Sequence, residues 1–288
     1  MGYMHIDNLY KNQDILMFKE CYSLEKIHGT SAHVSWKHEE KKVKFFTGDG
    51  HSIFIALFNE LELKEKCEIL LPDKDAIFYG ENFGGKIQGM KDTYGVDRKF
   101  RVFDVKVNDK WLSVPHAEVL THNIGLKFVH YERCYTDLEW LDFERDKPST
   151  EAILAGCGEK PGEGVVLRPL VELTRNDGSR IICKHKRAEF RETNKVREVS
   201  AEELEVLSKA NEIAAEWVTL MRLQHVLQKM EVAAIEDTPK VISAMLEDVK
   251  KESVGEIQWS KEAEKAIRRT AATIFKEHLV SQFRSAND

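Results

Sequence analysis

Near its beginning the chain contains the sequence Glu25-Lys26-Ile27-His28-Gly29-Thr30-Ser31, which directly precedes a region rich in β-branched and aromatic residues. This stretch places a lysine two residues before a histidine and three before a glycine. Lysine side chains are mostly exposed in folded proteins, so a solvated loop residue is the simplest interpretation of Lys26 taken alone. Any chemical role of Lys26 therefore depends on residues elsewhere in the chain.

The region that follows, from about residue 33 to residue 187, has the pattern of β-structure. Short runs of β-branched and aromatic residues alternate with turns formed by Gly, Asp and Asn. The runs that we predict to be strands are 34–36, 43–46, 100–107, 164–173 and 180–186. The last two are joined by Asn176-Asp177-Gly178, and this turn sequence predicts a β-hairpin.

The pattern changes after about residue 197, where apolar residues recur at helical intervals. Ser200 and Glu203 form a capping box at the start of a predicted long amphipathic helix that continues to Met221. Two further helices are predicted to start at Thr238, which a proline follows, and at Ser260.

The length and composition are those of a folded protein with two domains. The chain has 288 residues, of which 42% are hydrophobic and 32% charged. We expect a first domain over residues 1–197 and a small all-α domain over residues 198–288, joined by a charged connector. The formal net charge is −6, which excludes a protein that holds nucleic acid by overall charge alone. A nucleic-acid partner would have to bind a local basic surface.

Neither the cysteines nor the apolar segments indicate export or a membrane. The five cysteines, an odd number, are widely spaced and form no metal-binding or redox pair, so reduced thiols are expected. The sequence that follows Met1 has no apolar signal core, and no segment is long and apolar enough to span a bilayer. We therefore expect a cytoplasmic location and no membrane partner.

Two lysines of the predicted strand 180–186 lie on the same side of that strand. Side chains alternate between the two faces of a strand, so Lys184 and Lys186 point the same way. A solvated sheet face is the commoner position for such residues. Two ammonium groups repel each other unless an anion lies between them, however, and a nucleotide phosphate is such an anion.

Three further positions carry side chains suited to nucleotide chemistry. Glu163 precedes a glycine at the start of a predicted strand, and Glu81 lies in the glycine-rich sequence 79–85. Phe103 and Asp104 are neighbours within the predicted strand 100–107. Each position also has an ordinary structural explanation: a glutamate can be a turn residue, and Phe103 can be a core residue.

In their order and spacing these residues resemble the motifs of the covalent nucleotidyltransferases, and among them the ATP-dependent RNA ligases of the phage RNA ligase 2 type. Residues 25–29 are similar to motif I, Glu81 to motif III, Phe103 with Asp104 to motif IIIa, Glu163 with Gly164 to motif IV, and Lys184 with Lys186 to motif V. His28 favours RNA ligases, because DNA ligases and capping enzymes usually have Asp at that point. The resemblance covers the first two thirds of the chain. It implies an α+β fold, in which an ATP-grasp-like adenylation (nucleotidyltransferase) domain built on antiparallel sheets precedes the all-α domain.

This resemblance implies that Lys26 attacks the α-phosphorus of ATP, so that pyrophosphate leaves and a lysyl-AMP intermediate forms. The residues that it implies for catalysis are Lys26, His28, Asp104, Lys184 and Lys186. Those that it implies for binding ATP are Glu25, Lys26, Ile27, Glu81, Phe103, Glu163, Lys184 and Lys186. Adenine would stack on Phe103, Glu81 would accept hydrogen bonds from the ribose, and Glu163 would hold water molecules of Mg²⁺ or Mn²⁺. AMP then passes to the 5′-phosphate of an RNA end, and a 3′-hydroxyl displaces it to seal the strand.

Two positions depart from the pattern of the family. Relatives commonly have Asn where this chain has Ser31, and Arg where it has Phe46, directly before a Thr-Gly pair. Lys44 lies two residues from Phe46 and faces the same side of the predicted strand, so it could supply the missing cation to the bound nucleotide or the RNA phosphate.

The expected partner is RNA with nicked or duplex ends, bound by a monomer. Residues 180–197 carry seven Lys or Arg against two Glu. The basic residues beyond the paired lysines are Arg187, Arg191, Lys195 and Arg197, which either follow an RNA backbone or form a solvated connector. Two other functions stay open at this point. One is a DNA ligase or capping guanylyltransferase, and the other is a catalytically idle RNA-binding protein of the same fold.

Overall fold

A computed structural model describes residues 2–175, 177–190, 201–227, 230, 234–254, 257 and 259–285. Contacts between residues divide the chain into two compact units, Met1–Ile15 with Lys19–Arg197, and Leu16–Phe18 with Glu198–Asp288. The predicted boundary between residues 197 and 198 stays a prediction, because residues 191–200 lie outside the described ranges. The predicted residues that also lie outside them are Asn176, Arg191, Lys195, Arg197 and Ser200.

The first unit contains two antiparallel sheets. The strands are β1 (Glu20–Lys26), β2 (Thr30–Lys37), β3 (Lys42–Thr47), β4 (Ala76–Phe83), β5 (Lys99–Val107), β6 (Lys110–Trp111), β7 (Tyr131–Tyr135), β8 (Gly164–Pro169) and β9 (Cys183–Lys186). The four-stranded sheet has the order β7-β1-β8-β9, and the five-stranded sheet has the order β3-β2-β4-β5-β6. The predicted strands are therefore confirmed, and the predicted hairpin appears as the antiparallel pair β8 and β9. Both strands are shorter than predicted because β8 ends at Pro169, which has no N–H for the ladder.

The core of this unit lies against one face of the five-stranded sheet. Side chains alternate along β2, so that Ala32, Val34 and Trp36 point into the apolar core. The Trp36 indole Nε1–H donates a hydrogen bond to the Leu71 carbonyl at 3.0 Å, so its polar atom is satisfied inside the core. The odd-numbered residues of β2 face the opposite side of the sheet, where the functional side chains lie.

Helices interrupt the region for which β-structure alone was predicted, so that prediction is incomplete. They are α1 (His51–Ile55), α2 (Glu60–Leu70), α3 (Lys91–Tyr94), α4 (Val114–Asn123), α5 (Leu138–Asp146) and α6 (Thr150–Leu154). Side-chain caps start three of them. Asn59 accepts a hydrogen bond from the N–H of Glu62, Asp137 accepts one from Trp140, and Ser149 accepts one from Ala152.

The second unit is helical, with α7 (Ala201–Trp217), α8 (Leu220–Leu227), α9 (Thr238–Glu252) and α10 (Lys261–Ser285). The predicted start at Ser260 is confirmed by a hydrogen bond of 3.0 Å from the Ala263 N–H to its hydroxyl oxygen. The predicted single helix through Met221 is wrong, because the chain leaves the helix after Trp217 and starts α8 with Thr219 as a cap for the Arg222 N–H. The helices bury a common apolar core that includes Met245, Ile267 and Phe275.

The predicted α+β fold class is confirmed by the two antiparallel sheets and the helical unit. The five cysteines are free thiols. In the described ranges, none of the helices combines the length and the apolar character that crossing a bilayer requires.

Candidate active site

A pocket of about 430 Å³ lies between the two sheets of the first unit. One wall is formed by β1, β8 and β9, and the other by β2, β4 and β5. The segment Tyr3–Ile6 contributes a third wall. Lys26, Glu81, Phe103 and Lys184 all line this pocket, so the fold brings together residues that are up to 158 positions apart in the chain.

Strand register places Lys26 beside Glu163 and Lys186. Lys26 ends β1 and is paired with Gly164 of β8, which is paired in turn with Lys186 of β9. The Lys26 Nζ lies 2.9 Å from Glu163 Oε2, and the Lys186 Nζ lies 2.9 Å from Glu163 Oε1. The His28 Nδ1 is 3.1 Å from Glu163 Oε2. A single carboxylate thus holds two lysines and a histidine in one cluster.

Glu163 is ionised in this cluster although its side chain is only 3% exposed. Burial by itself would raise its pKa, but His28, Lys26 and Lys186 together lower the pKa to about 2. The unfolded carboxyl titrates near 4.5, so the cluster stabilises the fold above that pH, and this contribution is lost as the pH falls toward 2.

Glu81 lines the pocket, and its environment affects its pKa in the opposite direction to that of Glu163. Its Oε1 accepts a hydrogen bond of 3.1 Å from the Gly29 N–H. Burial is the main cause that raises the pKa of Glu81 to about 7, and the negative charge of Glu163 raises it further, against the positive charge of Lys26. Glycine is required at position 29, because an added Cβ would lie 2.4 Å from the Asn82 carbonyl oxygen.

We expect the stability of the variant Glu81→Gln relative to wild type to increase as the pH rises from 5 to 8. A folded-state pKa above the unfolded one means that the native carboxyl holds its proton longer, so wild-type stability falls as the pH rises from about 4.5 to 7. Glutamine keeps an acceptor for Gly29 and cannot ionise. The difference in unfolding free energy between variant and wild type should therefore grow by up to about 3 kcal/mol. Urea unfolding at both pH values measures it, and a difference that is the same at pH 5 and pH 8 would contradict the assigned pKa.

Phe103 and Lys184 lie where a nucleotide in the pocket would meet them. Phe103 is partly buried and contacts the Tyr3 ring edge to face, with 4.9 Å between ring centroids. Lys184 lies on the same side of β9 as Lys186, as the alternation of the strand predicted. The backbone of Lys184 also pairs with the N-terminal segment, through hydrogen bonds with Asp7 and Leu9.

Asp104 is inaccessible to solvent and lies in a buried ion-pair network instead of lining the pocket. Its carboxylate oxygens accept hydrogen bonds from Arg168 at 2.9 Å, from Arg180 at 2.5 Å and from the Tyr3 hydroxyl at 2.7 Å. Glu172 also pairs with both arginines. The structure therefore connects Asp104 to the pocket through Tyr3 and Arg168, which line it.

The remaining predicted binding residues occupy different positions. Glu25 lines the pocket, but its Oε1 accepts a hydrogen bond of 2.5 Å from the Ser149 hydroxyl, and burial raises the pKa of Glu25. Ile27 is a core residue that also lines the pocket. Lys44 does not line it, and its ammonium pairs with Glu40 at 2.8 Å on the exposed side of β3.

The pocket residues that sequence reasoning missed include Tyr3, Arg101 and Arg168. Arg168 follows Glu163 by five residues in a predicted strand, and this arginine inside an apolar strand was the one available signal. Tyr3 and Arg101 gave no signal, because only tertiary structure brings the N-terminal segment and β5 to the same pocket.

The residues around Glu163 fit a divalent metal that binds together with a nucleotide. Within the described ranges, no group of three or more His, Cys, Asp or Glu side chains could hold a metal ion without further ligands. Mg²⁺ is commonly bound by one or two carboxylates together with substrate phosphates. Glu163 can supply one carboxylate, so phosphate and water oxygens would complete the ligand set.

Comparisons with known proteins concern the fold and the family of the chain. Solved structures of Naegleria gruberi RNA ligase mutants are similar to the chain, one with AMP and Mn at TM-score 0.51, one with ATP and Mn at 0.50 and one without ligand at 0.51. Each is 16% identical, and the match covers 66% of this chain and 57% of the other, so the chain spans little more than half of those proteins. This likeness concerns the fold. No curated protein matches the chain. The RNA ligase family matches residues 19–186, more than half of the chain, and this chain therefore belongs to the RNA ligase family.

Proposed function

We propose that the chain is an ATP-dependent RNA ligase that carries AMP on Lys26. The observation that supports this most strongly is the contact of Lys26 with Glu163, which also holds Lys186, beside a pocket of about 430 Å³ in a member of the RNA ligase family. The resemblance to the phage RNA ligase 2 type belongs to this proposal.

In the first step, the Lys26 Nζ forms a P–N bond with the α-phosphorus of ATP. The bond between that phosphorus and the oxygen bridging to the β-phosphate breaks, and its electron pair leaves with pyrophosphate. The amine loses a proton to solvent in the process. The Lys26 Nζ contacts the Glu163 carboxylate at 2.9 Å, so this contact has to loosen before the amine can attack.

The pocket offers a partner for each part of ATP. The Phe103 ring offers a face to adenine, and Glu81 accepts hydrogen bonds from the ribose hydroxyls. Lys184 and Lys186 neutralise the phosphate oxygens, and His28 orients Glu163 through its 3.1 Å contact. Glu163 would hold Mg²⁺ or Mn²⁺, which supplies positive charge at the α-phosphate when bound. The similar Naegleria gruberi structures with ATP or AMP and Mn support the use of ATP and a divalent metal.

Other predicted residues act at the edge of the site in this proposal. Asp104 positions Arg168 and Tyr3, and thereby supports the wall that adjoins Phe103. Glu25 and Ile27 contribute the backbone and side-chain wall on β1. Lys44 lies outside the pocket, so we assign it to the phosphate of the RNA end and not to ATP.

In the second step, a 5′-phosphate oxygen of an RNA end attacks the lysyl adenylate, so that a P–O–P linkage forms and the P–N bond to Lys26 breaks. In the third step, a 3′-hydroxyl attacks the 5′-phosphate and AMP leaves. We propose nicked or duplex RNA as the substrate, bound by a monomer in the cytoplasm. A DNA ligase or a capping enzyme would carry out the first step with the same lysine.

The function is tested by incubating the protein with α-labelled ATP or GTP and Mg²⁺ or Mn²⁺, then denaturing it. We expect label from ATP alone, and sealing of nicked RNA in preference to nicked DNA. Label from GTP alone would instead indicate a capping enzyme, and preferential sealing of nicked DNA would indicate a DNA ligase. Absence of label from both nucleotides, in protein shown by its mass to carry no AMP, would contradict the proposal and favour an idle RNA-binding protein.

A further inference from the structure

A row of aromatic side chains crosses the five-stranded sheet on the face that carries the pocket. Phe46 of β3 stacks on His33 of β2, with ring centroids 4.9 Å apart and an interplanar angle of 17°. His33 contacts Tyr79 of β4 at 5.6 Å, and Tyr79 contacts Tyr3 at 5.1 Å. The strand register explains the row, because both Phe46 and Tyr79 are directly opposite His33.

Only the outer end of this row is open to solvent. Tyr79 is 5% exposed and His33 is 9% exposed, whereas Phe46 is 47% exposed. Burial lowers the pKa of His33, so its ring is neutral at pH 7 and supports Phe46 as an uncharged aromatic surface. The parallel stack fixes the Phe46 ring from one side and leaves part of it free for a second planar group.

The exposed ring is close to the nucleotide pocket. Ser31 and Glu81 line the pocket, and they lie two residues from His33 and Tyr79 on the same face of β2 and β4. Two residues of a strand span about 6.6 Å and neighbouring strands lie about 4.8 Å apart, so the backbone of Phe46 lies roughly 8 Å from that of Ser31. Lys44 also lies on this face, where its exposed pair with Glu40 is weak enough to yield to a phosphate.

We propose that Phe46, supported by His33, stacks against the base of the RNA nucleotide that carries the reacting 5′-phosphate. A phenylalanine has no hydrogen-bond donor for a phosphate, but its face can stack on any base, and at a nick one face of the base beside the 5′-phosphate has no covalently linked neighbour. The position therefore recognises a base where relatives commonly have an arginine. Lys44 remains available for the adjoining phosphate.

This proposal rests on the proposed function, and RNA binding can test it without ligation. The probe is a nicked RNA duplex with the fluorescent base 2-aminopurine at the 5′-phosphate end, titrated with wild type, Phe46→Leu and Phe46→Tyr. Stacking of one base is worth enough to change the dissociation constant roughly five- to a hundredfold. We expect Phe46→Leu to weaken binding by a factor in this range and to lose the quenching of 2-aminopurine. Phe46→Tyr should keep both.

Tyr135→Leu is the matched control, since Tyr135 is 48% exposed on β7, the edge strand of the other sheet. It should bind like wild type. A second probe without the terminal base should bind wild type and Phe46→Leu equally. The proposal would be overturned if these two proteins bound the complete RNA with equal affinity, or if Phe46→Leu bound the base-free RNA as much more weakly than wild type as it binds the complete RNA. Phe46 would then be a contact for another protein or a purely structural residue.

Labelling by ATP is measured on the same proteins. A wild type that takes up no label would contradict the ligase function. If wild type is labelled and Phe46→Leu binds RNA as tightly as wild type, only the proposal of base stacking is contradicted.

Discussion

Lys26→Arg is expected to take up no AMP from ATP while the protein keeps its fold. Arginine preserves the positive charge that pairs with Glu163, but a guanidinium stays protonated at all accessible pH values and cannot act as a nucleophile. Loss of the nucleophile in a covalent mechanism typically lowers the rate by several orders of magnitude, so labelling should fall by at least about a thousandfold. Urea unfolding should give a midpoint close to that of wild type.

Two further variants complete this experiment. Lys26→Ala should also remain unlabelled, but it leaves the Glu163 carboxylate with one lysine fewer and should lose stability. Lys64→Ala removes an exposed lysine of α2 and should be labelled like wild type. Label on Lys26→Arg at the wild-type rate would show that another residue is the nucleophile.

Glu163→Gln is expected to lower both the stability of the protein and its labelling by ATP. The change is nearly isosteric, but it leaves Lys26 and Lys186 without the charge that both contact at 2.9 Å. An uncompensated buried charge of this kind typically costs about 3–5 kcal/mol of stability. Labelling should fall at least about a hundredfold, because Lys26 loses the partner that fixes its position and the site loses the carboxylate that contacts both lysines. Urea unfolding and the rate of labelling measure the two effects separately.

Glu144→Gln is the control for the effect on folding. Glu144 is also a buried carboxylate, which pairs with Lys147 at 2.7 Å, and it does not line the nucleotide pocket. This variant should lose stability and still be labelled at the wild-type rate. If Glu163→Gln were labelled as fast as wild type, the carboxylate would have no part in the chemistry, whatever its effect on stability.

The sequence predicted those parts of the fold that short-range patterns determine. Alternation identified β2, β3 and β5, and the helix start at Ser260 was clear because one serine hydroxyl caps one N–H. Helices α2 and α5 were missed although Asn59 and Asp137 cap them. Several of their apolar residues are exposed, among them Ile69 of α2 and Phe143 of α5, so the apolar positions do not follow one helical face.

The residues of the candidate site could be predicted only from the order and spacing of the sequence motifs. Lys26, Glu163 and Lys186 share no local sequence pattern. The register of β1, β8 and β9 alone brings the two lysines to the Glu163 carboxylate. The position of Asp104 in a network with Arg168 and Arg180 could not be predicted, because it depends on a bulge in β5 opposite Tyr79 and Gly80.

Mapping of the modified residue tests most directly whether Lys26 carries AMP. The protein is incubated with ATP and Mg²⁺ or Mn²⁺, digested at neutral pH, and its peptides are sequenced by mass spectrometry. We predict AMP on the side chain of Lys26 and on no other residue. AMP on Lys184, Lys186 or His28 instead, or unmodified Lys26 in protein that seals RNA, would contradict the account.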